Sequence, residues 1–264
     1  MPITIAVAGK GGTGKTTVSA LIIDHLVRLK AGTILAIDAD PSTNLNIALG
    51  VEVEQAVGSE REALVDDIKT GRYNLGLDKQ QHFELMVHEC LVEGDLFDLL
   101  AMGRPEGPGC YCAPNYMLRR SIDAIADTYD FVIIDNEAGL EHISRRTTRD
   151  VDLLLAVSDP TVRGLIAAQR VFDLVKELDT RIGMAHLLIN RVPVEDGAEP
   201  QLPPELEARV QELGLPLLGL LPVDAGVARM DVLGQPLVDL PLDEPVRQYL
   251  VSAVGKVLPA MKPA

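Results

Sequence analysis

Gly9-Lys10-Gly11-Gly12-Thr13-Gly14-Lys15-Thr16-Thr17 follows the apolar run Ile3 to Ala8 and precedes a helical pattern of Val18, Leu21, Ile22, His25, Leu26 and Leu29. Strand, glycine loop and helix in this order are the setting of a phosphate-binding loop, and the spacing Gly9-x4-Gly14-Lys15-Thr16 fits that loop completely. Glycines let backbone N–H groups turn inward around an anion. The helix start adds partial positive charge. Lys15 is expected to reach the β- and γ-phosphates of a nucleotide, and the Thr16 hydroxyl to sit at a Mg²⁺ site.

Outward from the loop, apolar strands alternate with helical segments. Thr33 to Ile37 ends in Asp38-Ala39-Asp40, and Phe131 to Ile134 ends in Asp135. Val151 to Val157, His186 to Arg191 and Leu215 to Val223 are further strands, with helices expected near 115–126, 161–178 and 244–258. Strands that are apolar throughout imply a mostly parallel, doubly wound α/β sheet with helices on both faces, and one domain over residues 1–264. Ligands of such sheets lie at the strand C-terminal ends, where Asp38, Asp40 and Asp135 fall. Residues 50–82 are acidic and expected to form a solvated helical face.

Composition removes several function classes. The 264 residues carry a formal net charge of -15 and 47% hydrophobic residues. An acidic surface repels nucleic-acid and anionic-lipid phosphates, so neither partner is expected. No apolar run approaches the length of a membrane span. The N-terminus enters a strand at once, so no signal peptide is expected. Three cysteines, an odd number, fit a reducing cytoplasm.

The run Lys10-Gly11-Gly12-Thr13-Gly14-Lys15-Thr16-Thr17 resembles the deviant Walker A motif of the MinD/ParA/nitrogenase-iron-protein ATPases, P-loop NTPases of the SIMIBI type. The resemblance implies ATP and Mg²⁺ as cofactors and a nucleotide-sandwich homodimer in which Lys10 touches the partner's nucleotide. It implies that Asp40 orients the attacking water and that Asp38 and Asp135, with Thr16, support Mg²⁺. Gly11, Gly12, Thr13, Gly14, Lys15, Thr16 and Thr17 bind phosphate by the same carry-over. The Gly139 amide of Asp135-x-x-x-Gly139 senses the γ-phosphate, Asn190 reads adenine, and Pro222, Val223 and Asp224 line the ring.

Cys110-Tyr111-Cys112 offers two soft thiolates where a tetrahedral site needs four. A two-fold dimer supplies the other pair by symmetry. Ni²⁺, Zn²⁺ and an iron–sulfur centre all suit such ligands. Cys90 reads as a core thiol. Together with Glu137-Ala138-Gly139-Leu140-Glu141-His142, the Cys-x-Cys loop resembles the CooC type of nickel-insertion ATPase, implying carbon monoxide dehydrogenase, acetyl-CoA synthase or a related nickel enzyme as client. Glu137 and His142 are candidates to relay nucleotide state to the metal loop. The alternatives are a MinD/ParA-like spatial regulator and an ATP-dependent amide-forming synthetase of the cobyrinic acid or dethiobiotin type.

Overall fold

The computed structural model describes residues 1–70, 76, 78–103, 112–137, 150–177, 181–195 and 198–261; side chains at 65, 68, 69, 112–115, 260 and 261 are outside the description. Strand β1 (Ile3–Gly9) is buried along its whole length. The chain turns through Gly14, at φ +90°, directly into α1 (Lys15–Arg28). Strand β2 (Ile34–Asp38) follows, then α2 (Leu45–Leu49), α3 (Val57–Thr70), α4 (Lys79–Glu89), β3 (Leu91–Val92) and β4 (Asp98–Ala101). The next elements are α5 (Cys112–Ala126), β5 (Phe131–Asp135), β6 (Val151–Ser158), α6 (Val162–Glu177) and β7 (Ile182–Val192). The last are α7 (Pro204–Glu212), β8 (Leu217–Pro222), α8 (Ala225–Leu233) and α9 (Pro245–Val254).

Eight strands form one sheet in the order β3-β4-β2-β5-β1-β6-β7-β8. Every pairing is parallel except that of β3 with β4. The doubly wound expectation therefore holds, with one short antiparallel strand at the edge. Both faces of the inner strands are covered, which is why these strands read as unbroken apolar runs. On one face, Val18, Leu21, Ile22 and Leu26 of α1 pack with Leu250, Ala253 and Val254 of α9 over Ile5, Val7 and Ile133. On the other, Phe83, Leu118, Ile122 and Val171 cover Ala6, Ala8, Ile134 and Leu154.

A buried ion pair fastens α1 to α9. Arg247 and Asp24 each keep 6% side-chain exposure, and Arg247 Nη1 donates to Asp24 Oδ2. Arg247 also donates to the carbonyls of Leu240 (3.1 Å) and Leu237 (3.0 Å), while Arg28 Nε donates to the same Asp24 oxygen at 2.7 Å.

The acidic 50–82 stretch contains α3 and the start of α4, whose first turn is held by a capping box between Asp78 and Gln81. Two helices lie in stretches to which the sequence reading assigns no element. Helix α7 begins at Pro204 in a Pro/Glu-rich stretch, because proline at a first helical position costs no hydrogen bond. Helix α8 is started by the Asp224 cap. Cys90 is buried at the end of α4, and burial pushes its thiol up to about 12. Among the described residues no helix is long and apolar enough to cross a membrane.

Candidate functional site: a phosphate loop beside two buried carboxylates

The loop between β1 and α1 is held by contacts on both sides. Gly9 abuts β6 so closely that a Cβ there would lie 2.2 Å from the Val157 carbonyl oxygen. A Cβ on Gly14 would lie 2.3 Å from Asn190 Nδ2. A side chain at Gly9 would require backbone movement, and one at Gly14, at φ +90°, would adopt a strained conformation and displace the Asn190 amide. Inside the loop, the Lys10 carbonyl accepts from the Thr13 hydroxyl (2.9 Å) and from Lys15 Nζ (3.5 Å). Lys15 is buried; the Lys10 residue is exposed.

Strand register assembles the acidic side. Asp38 of β2 and Asp135 of β5 are direct partners at the C-terminal ends of adjacent strands. Asp38 is fully buried and accepts from the backbone N–H groups of Asp40 (3.1 Å) and Leu45 (2.9 Å). Asp135 accepts from the hydroxyls of Thr16 and Ser19, the latter at 3.1 Å. Burial pushes the Asp38 carboxyl up to about 6, against the pull of its amide donors. Burial likewise pushes Asp135 up to about 7, with the neighbouring Asp38 charge adding to the rise. The sequence expectation thus comes together in space: Lys15, Thr16, Asp38 and Asp135 meet at one point of the sheet edge. Two carboxylates and a hydroxyl form a hard oxygen donor set that fits Mg²⁺.

These shifts have a consequence for stability. A carboxyl whose folded pKa is raised binds more protons folded than unfolded, so its contribution to stability falls as pH rises from about 4 to about 7. An Asp135→Asn chain, free of nucleotide and divalent cation, is therefore expected to gain stability over the native chain at pH 7.5, and to gain less at pH 5.5. Urea unfolding at the two pH values checks this; an equal change at both would contradict it.

Asp40 stands partly exposed one turn beyond Asp38, and its Oδ1 accepts from the Ser42 N–H at 2.8 Å. Asn190, Pro222, Val223 and Asp224 line a cavity of about 190 Å³ beside Thr17. Two of them have backbone partners already. Asn190 Nδ2 donates to the Thr13 carbonyl at 2.9 Å, and its Oδ1 accepts from the Arg191 N–H at 2.9 Å. Asp224 starts two helices at once, accepting from Val227 N–H of α8 (3.0 Å) and Val246 N–H of α9 (3.2 Å). Glu137 is exposed just past β5. Cys110, Gly139 and His142 lie outside the described residues, as does the Cys112 side chain, although Cys112 is the first residue of α5. Among the described residues, no group of three or more His, Cys, Asp or Glu side chains is placed to hold a metal ion.

Two residues at this site are additions to the sequence reading. Ser19 was legible, since it lies four residues after Lys15 and so on the same helical face. Arg191, whose Nη1 donates to the Gly12 carbonyl at 2.7 Å, carried no sequence signal.

Comparison with known proteins agrees with this geometry. An uncharacterized ATP-binding protein of Methanocaldococcus jannaschii is 41% identical over 254 residues, covering 96% of this chain and 98% of its own. The carbon monoxide dehydrogenase accessory protein CooC of Rhodospirillum rubrum is 30% identical over 247 residues, covering 89% of each chain. The septum site-determining protein MinD of Pyrococcus horikoshii, solved with Mg-ADP, superposes with a TM-score of 0.66 at 20% identity over all of both chains, a likeness of fold. A glycine loop between β1 and α1, with carboxylates closing the neighbouring strands of a parallel sheet, defines a P-loop NTPase of MinD/ParA architecture. Residues 2–187 match the family model AAA_31, described as an AAA domain, and the chain belongs to that family.

Proposed function

We propose that this chain is a cytoplasmic Mg²⁺-dependent ATPase, a single domain over 1–264. In this reading it closes as a homodimer around ATP and serves metal delivery to a carbon monoxide dehydrogenase or a related nickel enzyme. The observation that carries the nucleotide part is the meeting of buried Lys15, the Thr16 hydroxyl and the Asp38–Asp135 pair at the phosphate loop. Lys15 and the loop amides hold the phosphates. Thr16, Asp38 and Asp135 hold Mg²⁺, which when bound supplies positive charge to the β- and γ-phosphate oxygens. Asp40, on a turn facing solvent, orients the attacking water. Lys10 acts on the partner's nucleotide, and its exposure in the single chain supports that assignment. Asn190, Pro222, Val223 and Asp224 flank the base.

The metal part is supported by the relationship to a carbon monoxide dehydrogenase accessory protein along most of both chains. Cys110 and Cys112 of two subunits form a four-thiolate cage for Ni²⁺ or Zn²⁺ cargo, assembled when ATP closes the dimer. Coupling of this kind requires the metal to bind the two nucleotide states with different affinity. Metal content and sedimentation measured together, with ADP and with a non-hydrolysable ATP analogue, test it on the native chain and Cys112→Ser. The expected result is an ATP-dependent dimer carrying metal, and a dimer without metal for the variant. A native chain that stays monomeric with the analogue overturns the shared-site reading, and equal metal content in the variant overturns the thiolate cage.

A further inference from the structure

Strand β7 carries an extra residue just where it reaches the phosphate loop. Ile189 pairs with Leu220 and Val192 with Pro222, so three steps on β7 match two on β8. That is a β-bulge, and bulges next to functional sites re-aim side chains. The residue inside it, Arg191, adopts φ +60°, a left-handed conformation that costs a non-glycine residue free energy. The bulge sends the exposed Arg191 side chain to the phosphate loop, where Nη1 donates to the Gly12 carbonyl at 2.7 Å. Its neighbour Asn190 donates to the next carbonyl, that of Thr13, at 2.9 Å.

The direction of these two bonds matters. In a trans peptide the C=O and the following N–H point opposite ways. A carbonyl of Gly12 pulled toward β7 turns the Thr13 N–H the other way, and a carbonyl of Thr13 held by Asn190 does the same for the Gly14 N–H. The Thr13 N–H is thereby turned across the loop, where it donates to the Lys10 carbonyl at a long 3.4 Å, a bond that an anion cradled in the loop can replace. Gly12, at φ +82°, has the backbone freedom to be set in this way but no side chain to set itself.

We propose that Arg191 is a positioning residue for the phosphate loop: from the β7 bulge, its guanidinium fixes the Gly12–Thr13 peptide so that the loop amides face a bound polyphosphate chain. This rests on the nucleotide-binding reading above. Arg191 acts on the loop and not on the base, so its loss weakens any ligand that the loop amides hold.

The test uses the full chain, titrated calorimetrically with Mg-ATP and with inorganic tripolyphosphate plus Mg²⁺. The variants are Arg191→Asn, which tolerates the left-handed backbone, and Arg191→Gly, which relieves it. Both variants should bind both ligands more weakly by the same factor, about fivefold, the scale of one net intramolecular hydrogen bond at an exposed position. The ligand-free thermal midpoint of Arg191→Gly should be no lower than that of the native chain, a result that a merely structural residue would not give. Unchanged affinity in both variants overturns the proposal. So does a loss confined to ATP, which would make Arg191 a base contact. A native chain that binds neither ligand overturns the nucleotide reading itself.

Discussion

A Lys15→Met chain is expected to hydrolyse ATP at least about 100-fold more slowly than the native chain, the scale seen when one preorganised electrostatic contact to developing charge is removed. Lys15 is 7% exposed, and its ammonium reaches the Lys10 carbonyl at the long distance of 3.5 Å. Beside that long contact it feels the Asp135 carboxyl, whose own charge burial disfavours, so a buried cation here still has much to gain from a bound anion. Methionine keeps the length and the apolar stem while removing the charge. The same substitution should change the ligand-free stability little, because the desolvation of a charge is lost together with its attraction to Asp135. Steady-state turnover at saturating Mg-ATP and a urea titration without nucleotide give the two readouts. Turnover within tenfold of native in a folded variant would refute the role given to this lysine.

The second large effect is on stability alone. Arg247→Met is expected to cost about 3 kcal/mol, the low end for breaking a buried ion pair, because Arg28 still partners Asp24. Beyond the lost pair, the carbonyls of Leu237 and Leu240 lose their guanidinium donors in a buried place. Removing both charges in Asp24→Leu/Arg247→Met should recover part of the loss, since the buried aspartate left with only the half-exposed Arg28 then disappears. Urea midpoints of the two single variants and the double variant form the cycle. A double variant no better than the sum of its singles would show that the pair is not the source of the cost.

The parts of this molecule that were legible in its sequence are those set by local chemistry. The β1–loop–α1 unit declares itself because glycine spacing, the following Lys-Thr, a buried strand before and a helix after all agree on one loop type. Asp38 and Asp135 were legible as strand-end carboxylates, and parallel register then made them neighbours. What stayed hidden depends on contacts distant in sequence. The bulge at Arg191 follows from how β7 pairs with β8. The double capping by Asp224 follows from where α9 begins, 21 residues later at Pro245. Asn190 reads in the sequence as a base-reading amide, and its bond to a loop carbonyl from the far end of the chain carried no local signal. Helices α7 and α8 were left unassigned because a proline and an aspartate that start helices also punctuate loops.

The two helix starts gathered on Asp224 have a mechanical sequel. The phosphate loop runs into α1, α1 is pinned by Asp24 to Arg247 of α9, α9 begins on Asp224 at the cavity rim, and the opposite rim, through Asn190 and Arg191, returns to the loop. The Val223 N–H, donating to the Val192 carbonyl at 2.9 Å, joins the two rims, so cavity and loop are stations on one closed circuit of helices, strand and hydrogen bonds. Their spacing is set before any ligand arrives, and a ligand that spans both loses less of its binding free energy to ordering the protein.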